Sequence, residues 1–190
     1  MKHRMFVQLV AGVFAVSAAV FAGAADVAKQ RAEIRKVCDE ALATLYKAKP
    51  ETKAAVGKSP GYGCFSSFGL SFLLGGAGGH GLVHKNATKS DTYMNMGQAT
   101  AGLDVGIKDY REVLVFKNQA TLDKFVNSGW EFSGTSAAAA KAGSKGGAAE
   151  GATPVDENIE IYPITKNGLQ LGFSAGPRKY WKDKDLNAAK

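Results

Sequence analysis

The apolar positions between residues 26 and 49 recur at the three- and four-residue spacing of an amphipathic helix. The apolar stripe consists of Val27, Ile34, Cys38, Ala41, Leu42 and Leu45, while Lys29, Arg31, Glu33, Arg35, Lys36, Asp39 and Glu40 lie largely off it. Pro50 ends this helix, because proline lacks the amide that a helix interior needs. The same proline is well placed to open a short second helix that runs through Val56.

From Tyr62 onward the apolar residues change to a period of two, which is typical of β-strands. Glycine is dense as far as Gly81, and glycine lets strands bend sharply, as at the corners of a barrel. Strands are predicted at residues 82–85, 93–96, 103–107 and 113–116. The last of these segments is apolar throughout, so it should be buried on both faces.

One short helix is predicted within the strands. Asn118 can cap it, Leu122, Phe125 and Val126 form its apolar face, and Gly129 would end it. Residues 130–140 resume extended structure, and residues 143–153 predict a flexible loop because they are rich in Gly, Ala, Ser and Lys. Two last strands alternate around Ile159 and Leu169, and Asn167-Gly168 between them is a strong hairpin signal.

This order of elements predicts one α+β domain over residues 25–190. Its centre is a curled or closed antiparallel β-sheet, barrel-like in form, with an N-terminal helix and short helices packed to one side. A chain of this length can bury a full core.

The first residues predict a cleavable signal peptide at 1–24. A basic start with Lys2 and Arg4 precedes an almost uninterrupted apolar run over residues 6–21, and small residues follow up to Ala24. The apolar run is shorter than the roughly 20 residues that a membrane span needs. A lipoprotein would need a Cys directly after the small residues, and the first Cys is Cys38. The expected location is the periplasm, the outer-membrane surface or the medium.

The net charge and the two cysteines give weaker indications of function than the pattern of elements does. Without the signal, 22 basic residues face 17 acidic ones, and the net charge of +5 is compatible with an anionic partner such as phospholipid headgroups. Nothing in the sequence points to nucleic acid. Cys38 and Cys64 would enter an oxidising compartment, where they could form a disulfide, but the place of Cys38 on the apolar stripe favours the alternative of two buried free thiols.

Three motifs resemble catalytic or ligand-binding signatures without their required context. Residues 76–81 match a dinucleotide fingerprint, but no helix of useful length follows them. Ser174 sits in a nucleophile-elbow pattern, but Pro177 comes soon after it and no His follows. His80 and His84 are four residues apart, which on a strand is too far for one metal ion. We therefore predict no catalytic residue, no metal and no cofactor.

The residues from Gly61 to Phe65 resemble the opening of the SYLF domain, which has a helix followed by Gly-Tyr-x-x-Phe and an apolar strand. The matches continue in order through the glycine-rich turn at 75–81, Tyr93, the strand at 113–116 and the closing Gly168-Leu169 strand. The resemblance covers about residues 26–176. The stretch 137–152 departs from the family pattern, because it is richer in Ala, Gly and Lys.

The resemblance implies a lipid-binding module of the bacterial exported branch. Eukaryotic relatives bind phosphoinositide membranes, and some also contact actin. In those relatives an amphipathic helix and basic surface residues meet the bilayer. The charge-mixed first helix of this chain is a mediocre membrane inserter, and it is expected to pack on the sheet instead.

Two groups of residues are candidates for contact with anionic lipid. The first helix carries Lys29, Arg31, Arg35 and Lys36, and the C-terminal tail carries Arg178, Lys179, Lys182 and Lys184 around Tyr180 and Trp181. The tail is the stronger candidate, because aromatic rings beside positive charge suit a headgroup boundary. The alternative function is a non-catalytic envelope or host-facing scaffold that binds a protein partner.

Overall fold

A computed structural model describes residues 8–68, 76–99, 109–132, 153–165, 168–169 and 177–188. The elements are α1 (Gln8–Ala48), α2 (Glu51–Lys58), β1 (Gly61–Phe68), β2 (Gly76–Lys85), β3 (Ser90–Ala99), β4 (Asp109–Phe116), α3 (Gln119–Ser128), β5 (Trp130–Phe132), β6 (Thr153–Asp156), β7 (Ile159–Thr165), β8 (Gly168–Leu169), β9 (Arg178–Lys182) and α4 (Lys184–Ala188). The predictions for residues 103–107, 133–140, 143–152 and 170–176, including Ser174, lie outside the described residues.

The strands form one antiparallel sheet in the order β5-β9-β3-β2-β1-β4-β7-β6, with β8 paired to β7. The sheet curls into a half-barrel, and the predicted fold class is confirmed. The helices that precede and follow the sheet in sequence, α1 and α4, contact each other as well as the sheet. The C-terminal strand β9 lies between β5 and β3, so the end of the chain is built into the sheet.

The two faces of the sheet carry separate cores. On one face, α1 buries its apolar stripe against side chains of β1, β2 and β4: the set is Ile34, Cys38, Ala41, Leu42, Leu45, Cys64, Leu82, Val113 and Val115. The concave face is filled by strand residues and by α3: this set includes Phe65, Val83, Leu114, Phe116, Leu122, Phe125, Val126 and Tyr180. Neighbouring residues such as Val113 and Leu114 are buried in different cores, as the period of two requires.

The predicted ends of α3 are confirmed. The side chain of Asn118 accepts a hydrogen bond from the amide of Thr121 at 2.8 Å, which caps the first turn. Gly129 follows the helix with φ at +75°, and a Cβ atom there would lie 2.6 Å from the carbonyl oxygen of Tyr180. Glycine is therefore the residue that lets the chain turn from α3 directly into β5.

The two ends of the described chain differ from the predictions. Helix α1 begins at Gln8, within the segment predicted to be the signal peptide, and so runs further towards the N-terminus than the apolar stripe indicated. In the described part of the chain, no helix combines the length and apolar character of a membrane span. The C-terminal residues, predicted as a basic tail, instead form β9 and α4.

Candidate functional site

The C-terminal segment that carries the stronger group of candidate residues is fixed to the sheet. The side chain of Asn187 accepts a hydrogen bond from the amide of Tyr93 at 3.1 Å and donates to the carbonyl of Tyr93 at 2.7 Å. The amide of Asp183 donates to the same carbonyl at 3.1 Å. The side chain of Leu186 in α4 is buried. These contacts place the side chains of β9 and α4 at defined positions.

Strand alternation divides the predicted C-terminal group in two. Lys179, Trp181 and Lys182 are exposed, as is Lys184 at the start of α4. Arg178 and Tyr180 point into the concave core, where they are 1% and 0% exposed. The prediction that these two side chains contact lipid at the surface is therefore wrong for this arrangement, because a strand sends alternate side chains to opposite faces.

On α1 the two arginines bind to the protein itself. Arg31 donates to the carbonyl of Leu186 from Nε at 2.9 Å and from Nη2 at 2.6 Å, and its guanidinium lies 5.4 Å from the ring centre of Tyr93. Arg35 forms an ion pair with Asp91 at the start of β3. These arginines join α1 to α4 and to the sheet. They thereby connect α1 with the C-terminal segment, the two parts of the chain in which the sequence predicted lipid contacts.

The remaining basic residues of both groups face solvent. Lys29 and Lys36 on α1 are exposed, as are Lys182 and Lys184. None of these four lysines has an acidic partner among the described residues, whereas Lys179 lies 3.9 Å from Glu131. The side chain of Trp181 is 42% exposed, and its ring lies across Gly97 of β3. We refer to this set of exposed side chains from α1, β9 and α4, which consists of Lys29, Lys36, Trp181, Lys182 and Lys184, as the lysine–tryptophan surface.

Behind this surface, Arg178 belongs to a buried polar cluster. Its guanidinium forms an ion pair with Glu112 of β4 and lies 4.9 Å from the ring centre of Tyr110. The hydroxyls of Tyr110 and Tyr180 donate to the Glu112 carboxylate at 2.7 Å and 2.5 Å. In the sheet order, β4 and β9 are separated by β1, β2 and β3. The cluster therefore connects two non-neighbouring strands across the interior of the half-barrel.

Burial and the carboxylate set the charge states in this cluster. Burial raises the pKa of the Tyr110 and Tyr180 hydroxyls well above their usual value, and the negative charge of Glu112 raises both further. Burial alone would lower the pKa of Arg178, but Glu112 raises it, and the result lies above the usual value. The arginine is therefore charged and both tyrosines are neutral donors at any ordinary pH.

The two cysteines are joined in a disulfide, which resolves the choice left open by the sequence. Cys38 of α1 and Cys64 of β1 have Cα atoms 5.2 Å apart and are buried in the core between the helix and the sheet. This bond is a covalent link between α1 and the sheet. The α1 residues on both sides of Cys38 pack beside it, so the disulfide fixes the position of the helix that carries Lys29 and Lys36.

The two histidines of β2 have separate surroundings. His84 lies 2.7 Å from Asp91 through Nδ1, and its ring packs at a tilt against Tyr62 with ring centres 5.1 Å apart. Partial burial lowers the pKa of His84, and the cations Arg35 and Lys89 lower it further. His80 instead lines a cleft beside the disulfide. Residues 76–81, which matched the dinucleotide fingerprint, lie inside β2, so no helix N-terminus follows them.

Reasoning from the sequence missed Glu112 and therefore missed the buried cluster. The signal was present in strand alternation, because Tyr110, Glu112, Leu114 and Phe116 fall on one face of β4. A carboxylate on a face that is otherwise apolar requires a buried cation or several hydrogen-bond donors. Arg178 and Tyr180 meet that requirement from β9.

Two comparisons with known proteins show what the chain is similar to. A family model described as "Ysc84: Las17-binding protein actin regulator" matches residues 97–190. Beta cell expansion factor A of Aeromonas veronii is 35% identical over 156 residues, which cover 82% of this chain and 58% of that protein. The chain thus spans less than two thirds of the length of this relative. The family is associated in general with binding to lipids and to actin regulators. The chain belongs to the SYLF-domain family, whose family model is Ysc84.

Proposed function

We propose that this protein is a non-catalytic module that binds anionic lipid surfaces, including those with phosphoinositide-type headgroups, after export from the cytoplasm. The observation that carries the proposal is the lysine–tryptophan surface. Four exposed lysines without acidic partners in the described chain lie on two segments joined by Arg31, and Trp181 is the exposed large apolar side chain among them.

The chemistry of this surface suits a bilayer boundary. An ammonium group near an anionic leaflet contributes about 1 kcal/mol to binding, which changes the partition coefficient about fivefold. The indole of Trp181 adds an apolar body with a polar N–H, the combination that is enriched at membrane interfaces. Arg178 is buried and Arg31 and Arg35 are half-buried, and all three hold the segments in place through contacts within the protein.

Replacing Lys29, Lys36, Lys182 and Lys184 together with Gln is expected to weaken binding to anionic vesicles by at least about tenfold. The measurement is co-sedimentation with vesicles that contain phosphatidylserine or a phosphoinositide, at low and at high salt. The wild-type protein should lose affinity as salt rises, and the variant should lose most of that dependence, because the interaction is electrostatic.

A control variant with the same change in charge replaces Lys47, Lys53, Lys58 and Lys89, which are exposed around α2 and the β2–β3 turn. It should bind vesicles nearly as the wild type does, apart from the general effect of net charge. In a Trp130→Phe background, Trp181 is the one remaining tryptophan, and its emission should shift to the blue on binding. Equal losses in the two quadruple variants, or unchanged Trp181 emission, would reject this face as the membrane contact.

Export is part of the proposal, and it predicts removal of the first 24 residues. The prediction rests on the pattern of a signal peptide: a basic start, an apolar run over residues 6–21 and small residues before position 25. Expression in a bacterium with an intact secretion pathway should give periplasmic protein whose mass corresponds to an N-terminus at Ala25 or Asp26. Intact-mass spectrometry of the periplasmic fraction decides the point. Protein that retains Met1 and stays with the cytoplasmic fraction would refute it.

A protein partner is the second candidate function. The description of the family model includes the words "Las17-binding protein", which favour a scaffold that recognises another protein. The vesicle experiment separates the two candidates. If the wild-type chain binds no anionic vesicle at low salt, lipid binding is wrong and the scaffold function becomes the stronger proposal.

A further inference from the structure

A cleft of about 130 Å³ lies between α1 and the strands β1 and β2, next to the disulfide. Its lining residues all belong to the described part of the chain. An engineered cavity of about 150 Å³ with an apolar lining is large enough to bind benzene. The cleft is therefore of a size that accepts a body of about six carbon atoms.

The inner walls of the cleft are apolar. Ile34 and Ala41 contribute from α1, and the disulfide between Cys38 and Cys64 forms part of the wall. These residues are all buried. Sulfur is polarisable and makes favourable contacts with aromatic edges, so this wall suits an aromatic or short alkyl body.

The rest of the lining is polar. Gln30 and Glu33 lie on α1 and face Ser66 and His80 on the strands, while Val37 is half-buried between the polar and apolar parts. The lining contains no Lys or Arg. Glu33 is exposed and has no ion-pair partner among the described residues. A carboxylate in this position attracts a cation and repels an anion.

We propose that this cleft binds a small amphiphile with an apolar body of about six carbons and a cationic head, such as a primary arylalkyl amine. The body fills the space between Val37 and the disulfide, and the ammonium group lies at Glu33. A hydroxyl in place of the ammonium is tolerated, because Gln30 and Ser66 offer hydrogen-bond partners. A carboxylate head is disfavoured. The site is separate from the lysine–tryptophan surface, and the proposal does not depend on lipid binding.

The test compares benzylamine, benzyl alcohol and benzoate, which share one ring and differ in the charge of the head. Titration of the folded protein, followed by amide chemical shifts in NMR, gives an affinity for each compound and locates it. Benzylamine should bind about tenfold more tightly than benzoate and should shift the resonances of Val37 and Ser66. A difference of that size corresponds to about 1.4 kcal/mol, which one exposed charge can supply.

Two variants make the test specific. Val37→Phe places a ring in the cleft and should weaken benzylamine binding by at least about tenfold, whereas Ala43→Phe on the exposed side of α1 should leave it unchanged. Glu33→Gln should remove the preference of benzylamine over benzyl alcohol. Circular dichroism and amide spectra confirm that each variant is folded.

Three outcomes would overturn the proposal. The first is that none of the three compounds binds to the wild type at millimolar concentration. The second is that a folded Val37→Phe variant binds benzylamine as the wild type does. The third is that benzoate binds as tightly as benzylamine, which would exclude recognition of the head by Glu33.

Discussion

Replacing Glu112 with Ala is expected to lower the free energy of unfolding by about 3–5 kcal/mol, the largest effect of any single substitution considered for this protein. The variant leaves the charged guanidinium of Arg178 buried without its counter-ion, and it removes the acceptor for the hydroxyls of Tyr110 and Tyr180. The unpaired buried charge and the unsatisfied buried hydroxyls together account for a loss of this size. Since domains are stable by only about 5–15 kcal/mol, the variant should be close to unfolding at 37 °C.

Urea denaturation followed by circular dichroism measures the change. The midpoint should fall while the slope of the free energy against urea stays constant. Glu112→Gln is the milder variant if the Ala variant does not fold, because it keeps an acceptor oxygen and removes only the charge. Glu131→Ala is the matched control: its ion pair with Lys179 is exposed on both sides and should contribute less than about 1 kcal/mol. A folded Glu112→Ala variant with wild-type stability would show that the cluster does not hold β4 and β9 together.

The same cluster explains why the contact between β4 and β9 across the interior could not be derived from the sequence alone. Strand periodicity predicts which residues share a face, but it does not predict which distant strands approach each other across the interior. Glu112 and Arg178 are 66 residues apart, and no local pattern links them. The fold class was predictable from glycine density and alternation, whereas the contact between β4 and β9 depends on the sheet order.

Local signals were most informative where one short segment contains the whole motif. Asn118, the apolar positions of α3 and Gly129 predicted a capped helix, and the structure has that helix with that cap. The continuous apolar run at 113–116 predicted burial on both faces, and these four residues divide between the two cores. In each case the physical determinant, a cap or a period of two, lies within the segment itself.

The candidate site was predicted only in part, because β9 was interpreted as a tail. Its five residues are mostly charged, and Pro177 precedes them, so neither propensity nor length indicated a strand. Once the segment is paired with β3 and β5, alternation assigns Arg178 and Tyr180 to the core and leaves Lys179 and Trp181 outside. The exposure of Lys182 and Lys184 then follows, since they lie where β9 ends and α4 begins.

The sequence could not distinguish a disulfide from two free thiols, because the position of Cys38 suits both states. It continues the apolar stripe of α1, and it faces Cys64 on the adjacent strand of the sheet. A free thiol would pack almost as well at that position. The bonded protein and the protein with free thiols differ in the covalent bond. This bond restricts the unfolded chain by closing the loop between two residues 26 apart in sequence.

Replacing both cysteines with Ala is therefore expected to lower the free energy of unfolding by about 3 kcal/mol, the value typical of a loop of this length. Alanine is used because it is small and apolar, so a buried hydroxyl does not add to the effect. Urea denaturation of the oxidised wild type, the reduced wild type and the double variant measures it. A dithiol reductant should lower the midpoint of the wild type nearly to that of the variant, and it should not change the variant. If reduction leaves the wild-type midpoint unchanged although thiol titration shows two free cysteines, then packing alone holds α1 on the sheet and the disulfide does not stabilise the fold.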